Sequence, residues 1–103
     1  MIQSTTPDVI FTVDVDLTSA TEVSVTFQQN NKNVLVLDAS SLTITPTTIT
    51  HTFTQRESLR FNADIPAYIQ IKAMLSDGRV ISHKNPLVMN VYEIFDRRVF
   101  GDG

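Results

Sequence analysis

The sequence predicts an all-β fold, an antiparallel sandwich of about seven strands with one short helical turn. Three observations carry that prediction. Val (11), Ile (9) and Thr (13) make up about a third of the 103 residues. Such β-branched side chains lose χ1 freedom in helices and suit a pleated, half-buried surface. Apolar and polar residues alternate with a period of two through several runs, the signature of strands with one buried face. Turn signals separate these runs along the whole chain, the spacing expected of an immunoglobulin-like β-sandwich.

The first run, residues 9–17, places Val9, Phe11, Val13, Val15 and Leu17 on one face and Ile10, Thr12, Asp14 and Asp16 on the other. It reads as a half-buried antiparallel strand. Residues 22–28 repeat the pattern, with Val23, Val25 and Phe27 inward. Asn30-Asn31-Lys32-Asn33 supplies residues tolerant of left-handed geometry and predicts a hairpin into Val34-Leu35-Val36-Leu37. That run is apolar on both faces, so it is expected at the centre of a sheet or beneath a second layer. Asp38-Ala39-Ser40-Ser41 breaks it, and residues 42–45 form a short strand. Pro46-Thr47 turns the chain into residues 48–54, with Ile49, His51 and Phe53 on one side and four threonines on the other.

Thr54-Gln55-Arg56-Glu57 matches a capping box, in which hydroxyl and carboxylate three residues apart satisfy the unpaired N–H groups of a helix start. It predicts a single helical turn bridging the two sheets. Pro66 opens the longest strand, residues 68–75, with Ile69, Ile71, Ala73 and Leu75 inward. Ser76-Asp77-Gly78-Arg79 is the strongest hairpin turn in the chain. Residues 80–82 return, Asn85-Pro86 interrupts, and residues 87–92 form a final strand. Residues 1–92 are therefore read as a single β-sandwich domain, and residues 93–103 as a C-terminal arm beyond it.

Composition narrows the function. The net charge is −3 and the pI about 5.1, so no basic footprint invites nucleic acid or an anionic membrane. No cysteine is present for a disulfide framework or a zinc ribbon. Residues 1–6 lack the basic and apolar regions of a signal peptide, and no stretch has the apolar length of a membrane span. Neither membrane nor nucleic acid is an expected partner.

The residues themselves offer several candidate sites. Asp14 and Asp16, two apart on an extended strand, would share a face, with Asp8 or Asp38 nearby in loops. Their ligand density falls short of a calcium loop, so a solvated face is expected and no metal. His51, between Ile49 and Phe53, reads as a packed, hydrogen-bonded side chain near a sheet edge. His83 beside Ser82 lacks the geometry of a nucleophile–base pair, and no glycine-rich elbow surrounds any serine. The expectation is a protein that is not an enzyme and has no cofactor. Thr48, Thr50, Thr52 and Thr54, extended by Ser24 and Thr26, form a hydroxyl comb, a candidate glycan-binding or sheet-mating face. The arm places Ile94, Phe95, Val99 and Phe100 beyond an already complete sandwich. Their spacing suits a short amphipathic turn, with Arg97 and Arg98 as rim contacts, docking either on a partner or across the domain's own open end.

Residues 1–7, the capped turn of residues 54–61, and Ile69-Gln70-Ile71 through Asp77-Gly78 together resemble a group of small β-rich proteins. These are immunoglobulin-like structural proteins of tailed bacteriophages and prophages, similar to baseplate-type N-terminal β-sandwich domains. The likeness spans nearly the whole chain, and no functional residues carry over from it. It implies a non-enzymatic structural or adaptor role in a virion assembled in the host cytoplasm. Its partners would be other virion proteins of the head, connector or tail, in a homo-oligomer or a hetero-assembly. The alternative from the residues is a carbohydrate-binding or adhesion-type module using the threonine face with Asp14 and Asp16.

Overall fold

The computed structural model describes residues 1–101. Eight strands form two antiparallel sheets. Strands β1 (Asp8–Thr12), β5 (Thr48–Thr52) and β4 (Thr43–Ile44) make a three-stranded sheet in the order β1-β5-β4. Facing it, β3 (Lys32–Asp38), β2 (Ala20–Gln29), β6 (Ala67–Leu75) and β7 (Val80–Ser82) run in the order β3-β2-β6-β7, and β8 (Leu87–Met89) pairs the same flank of β6 as β7. The architecture is the expected all-β sandwich. Ile2 and Tyr92 add one isolated parallel bridge.

Alternation places the core as expected. Val23, Val25 and Phe27 of β2 and Ile69, Ile71, Ala73 and Leu75 of β6 are buried, as are Ile49 and His51 of β5. The β2–β3 hairpin turns on Asn30 and Asn31, both at positive φ. Two successive left-handed residues match the right-handed twist of the strands they join. Gly78, also at positive φ, closes the β6–β7 hairpin.

Helix α1 (Gln55–Leu59) carries the expected capping box: the Glu57 N–H donates to Thr54 Oγ1, and the Thr54 N–H donates to Glu57 Oε1. It joins the two sheets and delivers Phe61 between them. Phe27, wholly buried, takes edge-on contacts from Phe53 and Phe61 at centroid distances of 5.5 and 5.7 Å, and Phe53 meets Phe61 at 5.9 Å. One ring comes from the five-stranded sheet, one from the end of β5, and one from the segment after α1.

Several expectations are corrected. The first strand ends at Thr12; Asp14 and Val15 lie in a bend, and Leu17–Ser19 forms a 3₁₀ turn capped by Asp16. The alternation continues past the strand because the 3₁₀ turn also points Leu17 into the core. The run Val34-Leu35-Val36-Leu37 is not central: β3 is an edge strand, with Leu35 and Leu37 buried and Val36 57% exposed. The last strand stops at Met89. Beyond it, Val91 still enters the core, and the Tyr92 N–H and C=O pair with Met1 O and the Gln3 N–H.

Replacing Phe27 with alanine removes the ring shared by both sheets and by the α1 segment. Chemical denaturation of Phe27→Ala is expected to show a loss of about 3–5 kcal/mol. The solvent-facing neighbour Thr26→Ala is expected to lose less than about 1 kcal/mol.

Candidate functional site

Three buried polar side chains fix the end of the sandwich where the arm lies. Ser58, fully buried on α1, donates to Thr5 O and Gln55 O and accepts the Thr5 N–H. Gln29, at the end of β2, donates to Asn62 O and Ile65 O and accepts the Asn62 N–H at 2.8 Å. Gln3, 3% exposed, donates to Phe61 O; its Oε1 accepts from Arg97 at 3.1 Å and from the Ile94 N–H at 3.5 Å. Leaving a buried amide unpaired costs about 1–3 kcal/mol, so these bonds fix where residues 1–5 and 60–66 run. Gln3 then couples that frame to the arm.

The arm is extended and carries no helical turn at residues 94–99. The expected amphipathic turn is absent because the arm's backbone groups bond to the domain instead. The Ile94 N–H goes to Gln3, Arg98 O accepts from Ser4 Oγ, and Phe100 exchanges two hydrogen bonds with the Gln55 side chain at 2.6 and 2.7 Å. Within the arm, Arg98 forks onto Asp96 and lies over the Phe100 ring, 5.8 Å from its centroid. Ile94 and Val99 are half-buried against the domain, whereas Phe95 is 95% exposed and Phe100 65% exposed. Arg97 and Arg98 are exposed in the same stretch. The six predicted arm residues thus divide: Ile94, Val99 and the Arg97 guanidinium hold the arm, Arg98 pairs with Asp96 within it, and Phe95 and Phe100 are presented outward. Asp102 and Gly103 lie outside the described residues.

The threonines of the comb fall in three places. Thr48, Thr50 and Thr52 share the outer face of the three-stranded sheet, joined through the register by Thr12, Ile10 and Thr43. Thr54 does not belong to it, because β5 ends at Thr52 and the Thr54 hydroxyl caps α1. Ser24 and Thr26 lie on the other sheet. Tyr68, the outward aromatic of β6, is likewise on the five-stranded sheet, so the hydroxyl comb lacks the stacking platform that sugar recognition normally uses.

Asp14 and Asp16, the acidic pair, both lie beyond β1 and do not share a strand face. Asp16 accepts the Thr18 N–H, and Asp38 accepts the N–H and hydroxyl of Ser40; each carboxylate caps its own 3₁₀ turn. His51 sits where expected, buried at the end of β5. Its Nδ1 lies 2.8 Å from Ser41 O and its Nε2 3.0 Å from Glu57 Oε1. His83 and Ser82 are both engaged by one residue of β6: His83 Nε2 accepts the Ile71 N–H at 2.9 Å, and Ser82 Oγ donates to Ile71 O at 2.7 Å. They fill the gap between β7 and β8 along β6, where neither of those strands pairs with Ile71.

Gln3, Ser58 and Gln29 were missed in the sequence because a single polar residue among apolar ones has no periodic signature. Gln29 did carry a faint signal, standing on the inward phase set by Val23, Val25 and Phe27. No protein-family model, curated protein or solved structure matches this chain.

Two outcomes follow from this geometry. Gln3→Ala removes the shared acceptor of Ile94 and Arg97. Hydrogen exchange of the Ile94 amide is expected to speed up by about tenfold or more while β2 and β6 amides stay protected. The carboxyls of Asp16, Asp38, Asp77 and Asp96 are all held below 3.8, chiefly by hydrogen bonds from Thr18, Ser40, Arg79 and Arg98 respectively. Depressed folded-state values contribute stability above the ordinary carboxyl pKa and lose it as the pH falls through the folded-state values. Thermal unfolding across pH is therefore expected to hold level down to about pH 4 and to decline below it.

Proposed function

We propose that the chain is a non-enzymatic structural or adaptor module of a phage virion, binding neighbouring subunits through its C-terminal arm and sheet edges. The observation that carries this reading is Phe95, almost fully exposed on a segment whose backbone is fixed to the domain on either side, at Gln3 and at Gln55. An aromatic ring on a fixed backbone loses little conformational freedom on docking, which is the economy expected of an interface anchor. Phe100 and the Arg97–Arg98 pair follow it on the same arm, with Arg98 ion-paired to Asp96 and lying over the Phe100 ring. The alternatives that would use the same residues for chemistry have less to work with. His51, His83, Ser82, Asp16 and Asp38 are each engaged in local hydrogen bonds, and among the described residues no three His, Cys, Asp or Glu side chains cluster as metal ligands. The phage setting comes from the resemblance of residues 1–7, 54–61 and 69–78 to tailed-phage structural proteins.

The test is double substitution Phe95→Ser with Phe100→Ser, followed by purification of the particles in which the chain is produced. The variant is expected to retain the parental melting temperature within about 2 °C, because neither ring enters the core. Its incorporation into particles should fall to background, and a photo-crosslinker at position 95 should link the parental chain to another virion subunit. Undiminished incorporation of the double variant would remove the arm from this role.

A further inference from the structure

One buried ring stands between two groups that accept hydrogen bonds. His51, 6% exposed, lies edge-on to Phe53 at a centroid distance of 5.0 Å, which fixes the plane of its imidazole. Its Nδ1 is 2.8 Å from Ser41 O and its Nε2 3.0 Å from Glu57 Oε1. A neutral imidazole has one N–H and one lone pair, so it can serve one of these oxygens and must turn its lone pair on the other. His83 shows the ordinary case. Its Nε2 accepts the Ile71 N–H while its Nδ1 lies 2.8 Å from Asn85 O, and a single neutral tautomer satisfies both. No neutral tautomer satisfies the surroundings of His51. A further proton has two places to sit, the ring or the carboxyl. Glu57 Oε1 already accepts the Thr54 N–H at 2.9 Å, a role that suits a carboxylate oxygen better than a carboxyl hydroxyl.

We infer that His51 is a buried imidazolium, paired with the Glu57 carboxylate, and that its proton clamps together two of the connections that cross between the sheets. The first crossing runs from β3 to β4 through the 3₁₀ turn Ala39–Ser41, and the second from β5 to β6 through α1. Ser41 O belongs to one and Glu57 to the other, and the ring holds both at once. Of the other charged groups on the elements around it, Asp8 on β1 accepts from the Thr52 hydroxyl, Asp38 caps the 3₁₀ turn at Ser40, and Arg56 and Arg60 are exposed. Among the described residues, Glu57 gives the ring its one ion pair. When the proton leaves, only one acceptor can be kept. The bond to the carboxylate is charge-assisted and the stronger of the two, so Nε2 keeps its hydrogen and the Nδ1 lone pair faces Ser41 O. The 3₁₀ turn is therefore released first, while α1 keeps its cap. The sign follows: the clamp is closed at lower pH and opens as the pH rises through the titration of the ring. The inference is independent of the proposed function, since neither the arm nor a partner enters it.

Nuclear magnetic resonance of the imidazole nitrogens in the full chain tests it directly. At about pH 7.5, where an ordinary histidine is largely neutral, both nitrogens of His51 are expected to show the protonated, imidazolium signature, and His83 one protonated and one bare nitrogen. On raising the pH, the Ser41 carbonyl carbon and the Leu42 amide should shift with the same midpoint as His51, while the Thr54 amide moves little. Glu57→Gln preserves the capping box, which accepts either residue at that position, but removes the anion. In that variant the His51 imidazolium signature should be lost at the same pH. A neutral His51 ring in the parental chain at that pH, with the proton on Glu57 or on neither group, would overturn the inference. So would a ring that stays charged in Glu57→Gln, or a Ser41 carbonyl indifferent to the titration. The parental spectra need no variant, so they decide the matter even if Glu57→Gln fails to fold. All of these readings are made on the free chain and leave the particle-incorporation test of the arm untouched.

Discussion

The structure depends on one contact above the rest, the edge-on meeting of Phe27, Phe53 and Phe61. A sandwich of two small sheets has little apolar area to bury, and each sheet here supplies a narrow inner face. The three rings close the end of the sandwich where strand pairing cannot. Phe27 brings the longest strand, β2; Phe53 brings the last residue of the β5 alternation; Phe61 brings the segment after α1. Edge-to-face aromatic pairs add about 0.5–1.5 kcal/mol each beyond the area they bury. The geometry of three mutually tilted rings also leaves few ways to rearrange them. α1 must therefore start where it does, and its capping box sets that position.

Polar groups then translate the apolar end into a defined surface. Gln29 ties the segment after Phe61 to β2, Ser58 ties α1 to residue 5, and Gln3 reads the Phe61 carbonyl on one side and the arm on the other. The link from core to surface is thus a short chain of buried amides and one hydroxyl. The arm inherits a fixed position from the core without contributing its largest side chains to it. This reconciles two readings of the arm that looked exclusive in sequence: it packs across its own domain and still offers an aromatic ring to solvent.

Much of this was legible before any coordinates. Strand alternation located the buried faces of β2, β5 and β6 residue by residue, since period two has a single meaning once turns bound the run. The capping box at Thr54 and Glu57 and the turns at Asn30-Asn31 and Gly78 were readable because each needs particular side chains at fixed offsets. Other features were not. Val15 and Leu17 continued a strand pattern through a bend and a 3₁₀ turn because burial, not backbone, sets which residues are apolar. β3 looked central because sequence reports how apolar a strand is on each face, not whether a neighbour lies alongside. The roles of Gln3 and Gln29 depend on carbonyls tens of residues away, and no local pattern encodes those.

The side chains of Ser82 and His83 occupy the hydrogen-bonding groups of Ile71 where a neighbouring strand would otherwise lie. Their effect reaches beyond that residue. With this flank broken into two short pieces around a plugged centre, the larger sheet keeps one continuous edge, β3, and a strand added on the β7–β8 side would first have to displace both side chains.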